Sequence, residues 1–158
     1  MTTTAIEDLL REHPFTRGFW PEQIARLAEL ASEAQFRSGE LIFHEGDHSS
    51  LFYLLISGSV ALEIVDPGRP VRVSTLYSGE ALGWSSLTGE EDKQFQARAL
   101  EEVHAVAFDG TRLRHACEED YGLGFTVMRA LVASMAARLH SVRAQLVHVY
   151  APVEAAAR

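Results

Sequence analysis

Leu82-Gly83-Trp84-Ser85-Ser86 combines small residues with hydroxyls, a composition suited to a tight turn that opens a short helix. A helical turn begun near Leu82-Gly83 would point the amides of Gly83, Trp84, Ser85 and Ser86 outward. Such a start attracts anions through its N–H groups and its dipole. The hydroxyls of Ser85 and Ser86 add donors. Lys93 follows after the acidic loop Gly89-Glu90-Glu91-Asp92. An ammonium holds a phosphate as a point charge, without the planar fork of a guanidinium. The three carboxylates oppose an anion unless they face water. On residue types alone Lys93 reads as a solvated loop lysine. Glu80 is placed to cap backbone amides at the preceding turn, and Trp84 reads as an edge residue of the core rather than a stacking platform.

Other chemistry finds little support. Cys117 is the only cysteine, so no intrachain disulfide, cysteine-rich zinc site or cysteine-held cluster can form within one chain. Glu118, Glu119 and Asp120 beside it would raise the thiol pKa, which disfavours a nucleophile. His44 and His48 have the wrong spacing for two imidazoles on one inward strand face, which argues against a metal-binding barrel enzyme. A haem sensor using a histidine and Cys117 is a further alternative. No P-loop, dinucleotide fingerprint or nucleophile and base pair is evident, so an enzyme is not expected.

The elements that must position Gly79–Ser86 and Lys93 are legible from periodicity. Residues 3–12 read as a short helix ended by Pro14, and Ile24, Leu27, Ala28, Leu30 and Ala31 recur at helical spacing from Pro21 to about Ala34. From Phe36 to Phe108 short apolar runs alternate with turn pairs such as Ser57-Gly58, Pro67-Gly68 and Ser78-Gly79. Strands are predicted at 40–44, 51–57, 59–66, 71–77, 94–100 and 102–108. After Asp109, a plausible N-cap, helical period returns and continues to Tyr150. The organisation expected is a helical segment over 1–35, a β core over 36–110, helices over 111–150 and a tail over 151–158 containing Pro152.

Phe125, Met128, Val132, Met135, Leu139, Val142, Leu146 and Val149 are spaced 3-4-3-4-3-4-3, an a/d seam. Its first two turns are expected to lie on the β core, and the rest to pair with a second copy of the helix in a homodimer.

Two stretches resemble a known family. SGELIFHEGDHSSLFYLLISGSVALEI is similar to the first half of the cyclic-nucleotide-binding domain of Crp/Fnr regulators, and YSGEALGWSSLTGEEDKQFQARAL falls at its phosphate-binding cassette. The resemblance implies a mainly β fold with helices, a jelly-roll-like β-roll (double-stranded β-helix) with N-terminal helices and a long C-terminal dimerisation helix. It implies a ligand site built from Gly79, Glu80, Leu82, Gly83, Trp84, Ser85, Ser86, Lys93 and Gln94. There Glu80 would accept a ribose hydroxyl, and the clamp that is an arginine in the family would fall at Lys93 or Gln94. The implied ligand is a cyclic nucleotide, cAMP or cGMP, with no cofactor required. The alternative is a domain that binds no nucleotide and serves as a dimeric protein-interaction module.

Composition bounds the partners. The net charge is −8, from 14 Lys plus Arg against 22 Asp plus Glu. Arg112, Arg114, Arg129, Arg138 and Arg143 are spread along helices and read as a solvated face, so direct nucleic-acid contact is not expected. Full regulators of the family carry a DNA-reading domain that is not expected here. The polar, acidic N-terminus and the charges breaking each apolar run point to a cytoplasmic protein with no membrane contact, acting on an unknown protein partner.

Overall fold

The computed structural model describes residues 2–48, 50–89 and 92–150. Glu90, Glu91 and the expected tail lie outside the described residues. Two helices come first, α1 (Thr3–Glu12) and α2 (Pro21–Leu30), joined through a 3₁₀ turn at Pro14–Thr16. Eight strands follow: β1 (Ala31–Phe36), β2 (Leu41–Phe43), β3 (Leu51–Ser57), β4 (Ser59–Asp66), β5 (Arg69–Tyr77), β6 (Ala81–Leu82), β7 (Gln96–Ala99) and β8 (Val103–Asp109). The four-residue helix α3 (Ser85–Thr88) sits between β6 and β7, and α4 (Gly110–Glu119) and α5 (Tyr121–Tyr150) close the chain.

The strands form two antiparallel four-stranded sheets, ordered β1-β8-β3-β6 and β2-β7-β4-β5. This is the expected β-roll with N-terminal helices and a long C-terminal helix. The near-continuous apolar runs LFYLLI and VHAVAF arise because the first sheet is covered on both faces. Tyr53, Leu55, Val103, Ala105 and Ala107 point between the sheets, where they meet Val60, Leu62 and Leu76. Phe52, Leu54, Val106 and Phe108 point the other way, onto Leu10, Leu27, Leu113 and Val127 of the helices. Gly58 (φ +87°) reverses β3 into β4, and a Cβ there would run into the Glu102 carbonyl, as the turn reading requires.

Helix α2 stops four residues earlier than its periodicity suggests. At Ala31 the backbone becomes extended (φ −99°, ψ 156°), and residues to Phe36 pair with β8 from Ala31↔Phe108 to Phe36↔Val103. The exposed edge of β8 captures a segment whose own composition is neutral between helix and strand. The two-residue β6 was also not foreseen. Asp109 caps α4 as expected, accepting from the Arg112 amide at 2.9 Å.

Helix α5 packs through Leu123, Val127 and Leu131, a face offset from the a/d seam. The expectation that the seam's first two turns lie on the β core is therefore corrected: Phe125 is 68% exposed and Val132 66%. Leu139, Leu146 and Val149 are exposed too, Met128 and Met135 partly so, and Val142 is half-buried. By length and composition alone α5 could cross a membrane, although its first turns are packed against the roll's helices.

Candidate ligand-binding site

Pairing of β6 with β3 (Tyr53↔Leu82, Leu54↔Ala81) brings the Ala81–Ser86 segment beside the roll. Gly83 makes the bend out of β6 with φ +82°, passing so close to β3 that an added Cβ would sit 2.5 Å from the Leu51 carbonyl oxygen and 3.1 Å from Lys93 Nζ. Only glycine satisfies both the positive φ and the close approach.

Lys93 is fixed from the opposite side. Its amide donates to Asp47 O at 2.9 Å, and its carbonyl accepts from the Gly46 amide at 2.9 Å. The Glu45-Gly46-Asp47 turn, itself held by the His44 amide donating to the Asp47 carboxylate at 2.7 Å, thus anchors the lysine backbone. That hydrogen bond is also what chiefly lowers the Asp47 pKa. The side chain runs inward and is only 5% exposed. Its ammonium donates to Leu51 O at 3.3 Å and lies 4.7 Å from the centre of the Phe43 ring. No carboxylate among the described residues pairs with it, and burial brings its pKa down from 10.5 to about 8. The picture of a solvated loop lysine is thereby corrected.

The ammonium faces a cavity of about 30 Å³ bounded by Leu82, Gly83, Trp84, Ser85 and Gln94, with room for about one water molecule. Arg138 of α5 reaches the same cavity and donates from Nη2 to Ala81 O at 2.6 Å. Burial lowers the Arg138 pKa while the nearby Glu80 carboxylate raises it. Reading Arg138 as part of a solvated face was wrong. The signal for it was its position seven residues after Leu131, which continues the packed face Leu123, Val127 and Leu131. Trp84, Phe95, Leu62 and Arg138 also border a larger groove of about 630 Å³ that Val73, Val132, Met135, Leu139 and Val142 make apolar, so cavity and groove share these four residues as walls.

Not every expected site residue gathers here. The Glu80 carboxylate accepts from the Tyr77 amide at 2.8 Å, which is the capping alternative. With Gly79 it lines a separate cavity of about 510 Å³ beside Pro14, Arg17 and Arg129. Ser86 is spent inside the turn: its amide and hydroxyl both donate to Gly83 O, at 3.2 and 2.9 Å, and it packs against Gly110. Asp92 is exposed, as a tolerated acidic neighbour must be. The Cys117 thiol is pushed up by burial and by Asp120 and Glu118. Among the described residues no three His, Cys, Asp or Glu side chains converge on one point.

A strand, a glycine bend, a one-turn helix and an inward cation can be compared with known proteins. The family model described as cyclic nucleotide-binding domain matches residues 33–120. The chain belongs to the cyclic nucleotide-binding domain family. The match runs from β1 to the end of α4, so it includes Gly83 and Lys93 and stops short of Arg138. A Geobacter metallireducens protein assigned as cyclic nucleotide-binding shares the fold of this domain at a TM-score of 0.76 and 30% identity, over 85% of this chain and 98% of that one. The CRP-like cAMP-activated global transcriptional regulator of Mycobacterium tuberculosis is 26% identical over 110 residues, 69% of this chain and 49% of the regulator. The lysophospholipase nte1 of Neosartorya fischeri is 24% identical over 102 residues, 64% of this chain and 7% of the enzyme. The chain thus spans about half the length of that regulator and a small part of that enzyme.

Proposed function

We propose that this domain is a regulatory sensor that binds a cyclic nucleotide, with the cyclic phosphate at Lys93 beside Gly83 and Ser85 and the base in the apolar groove between the roll and α5. The observation that carries the reading is Lys93: a buried ammonium with no carboxylate partner among the described residues, lining a small cavity that shares Trp84 and Phe95 with an apolar groove. An anionic oxygen presented to that cavity restores the charge interactions that burial removed. The groove offers few polar side chains, chiefly Ser74 and Arg138, so discrimination between adenine and guanine is expected to be weak. Glu80, bound to the Tyr77 amide and lining another cavity, is not assigned the ribose.

The exposed a/d seam of α5 supports a homodimer through that helix, and the net charge of −8 supports a protein rather than a nucleic-acid partner. Calorimetric titration of ligand-stripped protein with cAMP, cGMP and 5′-AMP tests the proposal. Saturable binding of a cyclic nucleotide near one per protomer, abolished by Lys93→Met, is the expected result. A folded protein that takes up neither cyclic nucleotide at millimolar concentration would refute it.

A further inference from the structure

We propose that His13 makes this domain responsive to acid: its neutral imidazole latches the N-terminal helices to the turn that leads into the ligand site, and a proton on it releases that turn and weakens ligand binding. The inference rests on the cyclic-nucleotide reading above and adds a residue that lies outside the matched domain. His13 closes α1 and is only 4% exposed. Its Nε2 donates to Leu55 O of β3 at 3.1 Å, and its Nδ1 accepts from the Phe15 amide at 3.1 Å. Both bonds exist together only while the ring is neutral, because a proton on Nδ1 would face the Phe15 N–H. The same Leu55 carbonyl accepts from the Gly79 amide at 2.8 Å, and the Leu55 amide donates to Glu80 O at 2.9 Å. One residue of β3 thus holds both the His13 ring and the turn at 78–80.

That turn runs directly into β6 and the Gly83 bend, so a shift in it reaches the site through a short stretch of backbone. Pro14 packs on the same turn, so closely that a Cβ on Gly79 would lie 3.1 Å from Pro14 Cγ. Cavities of about 230 and 510 Å³ flank the joint, both lined by Pro14 and Gly79. The smaller is also bordered by His13 and Leu55, which leaves a displaced ring room to move. The charged groups around the joint are Glu12 of α1 on the smaller cavity, Arg17 and Arg129 of α5 on the larger, and Glu80, whose carboxylate is held by the Tyr77 amide. Among the described residues none of them pairs with the imidazole, and β3 carries no charged side chain. Burial lowers the His13 pKa, so the latched form prevails at neutral pH. A proton arriving there meets no carboxylate and is accommodated by opening the joint. Acid and ligand then oppose each other through one equilibrium.

The test titrates the full chain with cAMP by calorimetry at pH 7 and pH 5.5, in wild type and in His13→Gln, whose amide offers a donor and an acceptor without taking up a proton. Over this range Lys93 stays protonated and the cyclic phosphate keeps its single charge. The other histidines are common to both proteins, so the difference between them isolates His13. Wild type is expected to bind about 5-fold or more weakly at pH 5.5, and His13→Gln to bind equally at the two pH values. In the ligand-free protein the amide NMR signal of Gly79 should move over the same range in wild type and stay in place in the variant. Circular dichroism at both pH values establishes that each protein is folded. An affinity that falls equally in both proteins, or does not fall in wild type, overturns the inference and leaves the nucleotide reading standing. A Gly79 signal that moves with no change in affinity also overturns it, since the latch would then not reach the site. If no cyclic nucleotide binds at pH 7, the nucleotide reading fails and the coupling fails with it.

Discussion

Replacing Lys93 by methionine should make the ligand-free protein more stable at neutral pH while removing its anion site. A drop in pKa from 10.5 to about 8 corresponds to roughly 3 kcal/mol spent on holding the charged ammonium in the cavity. Methionine fills the same space without a charge. Against that gain stand the lost bond to Leu51 O and the contact with the Phe43 ring, together worth about 1–2 kcal/mol. The net stabilisation expected at pH 7 is about 1–2 kcal/mol, or several degrees in melting temperature for a chain of this size. Its pH dependence is diagnostic. The folded pKa lies below the unfolded one, so between about pH 8 and 10.5 the unfolded chain binds more protons and wild-type stability rises with pH. Below pH 8 the penalty is present in full, and by pH 9.5 under half of it remains. Urea unfolding of both proteins at pH 6.5, 8 and 9.5, at one protein concentration and without phosphate, reads the difference directly. A variant less stable than wild type at pH 6.5, or a gap that does not shrink on going to pH 9.5, would refute the assignment of Lys93 as a buried, uncompensated charge.

Gly83→Ala should destabilise the domain by about 2 kcal/mol or more, because the φ of +82° and the approach to Leu51 O both penalise a Cβ; a denaturation midpoint equal to wild type would contradict this. Met135→Glu puts a charge in mid-seam and should give monomers in light scattering, whereas an unchanged dimer mass would show that the seam does not pair. His13 is buried, its Nδ1 accepting from the Phe15 amide while Nε2 meets Leu55 O at 3.1 Å, and burial lowers its pKa. The unfolded chain therefore binds the proton first, and stability should fall as pH drops below about 6.5. In His13→Gln that loss should be reduced, as followed by urea midpoints between pH 7 and 5.

The β3, β4 and β8 segments were legible because local signals agree with the fold. Apolar runs of strand length are bounded by Ser57-Gly58 and Pro67-Gly68, and the turn residues adopt the positive φ that glycine permits. β1 was not legible for a definite reason. Ala31-Ser32-Glu33-Ala34 continues the helical spacing of α2, and no glycine or proline marks the break. What ends the helix is the β8 edge, brought there by residues more than sixty positions downstream. A local reading cannot weigh that partner.

The site divides along the same line. Gly83 was singled out as the bend that opens a short helix, and Lys93 only through the family resemblance, which puts the clamp position at Lys93 or Gln94. The placement of Glu80 and Ser86 could not be found that way, since both face inward or outward according to how one turn closes on Tyr77 and Gly83. Arg138 lies beyond any local motif: it lines the same cavity as Lys93 only because α5 passes beside β6, where it donates to Ala81 O. Its burial follows from the helix geometry rather than from its neighbours' chemistry. An arginine seven residues after Leu131 lies on the face by which α5 packs, and where that face passes a strand end its guanidinium meets a carbonyl, here that of Ala81. The cavity therefore draws its charge from two segments that share no sequence signal, and a lining residue of this kind becomes visible only once the long helix has a place in the fold.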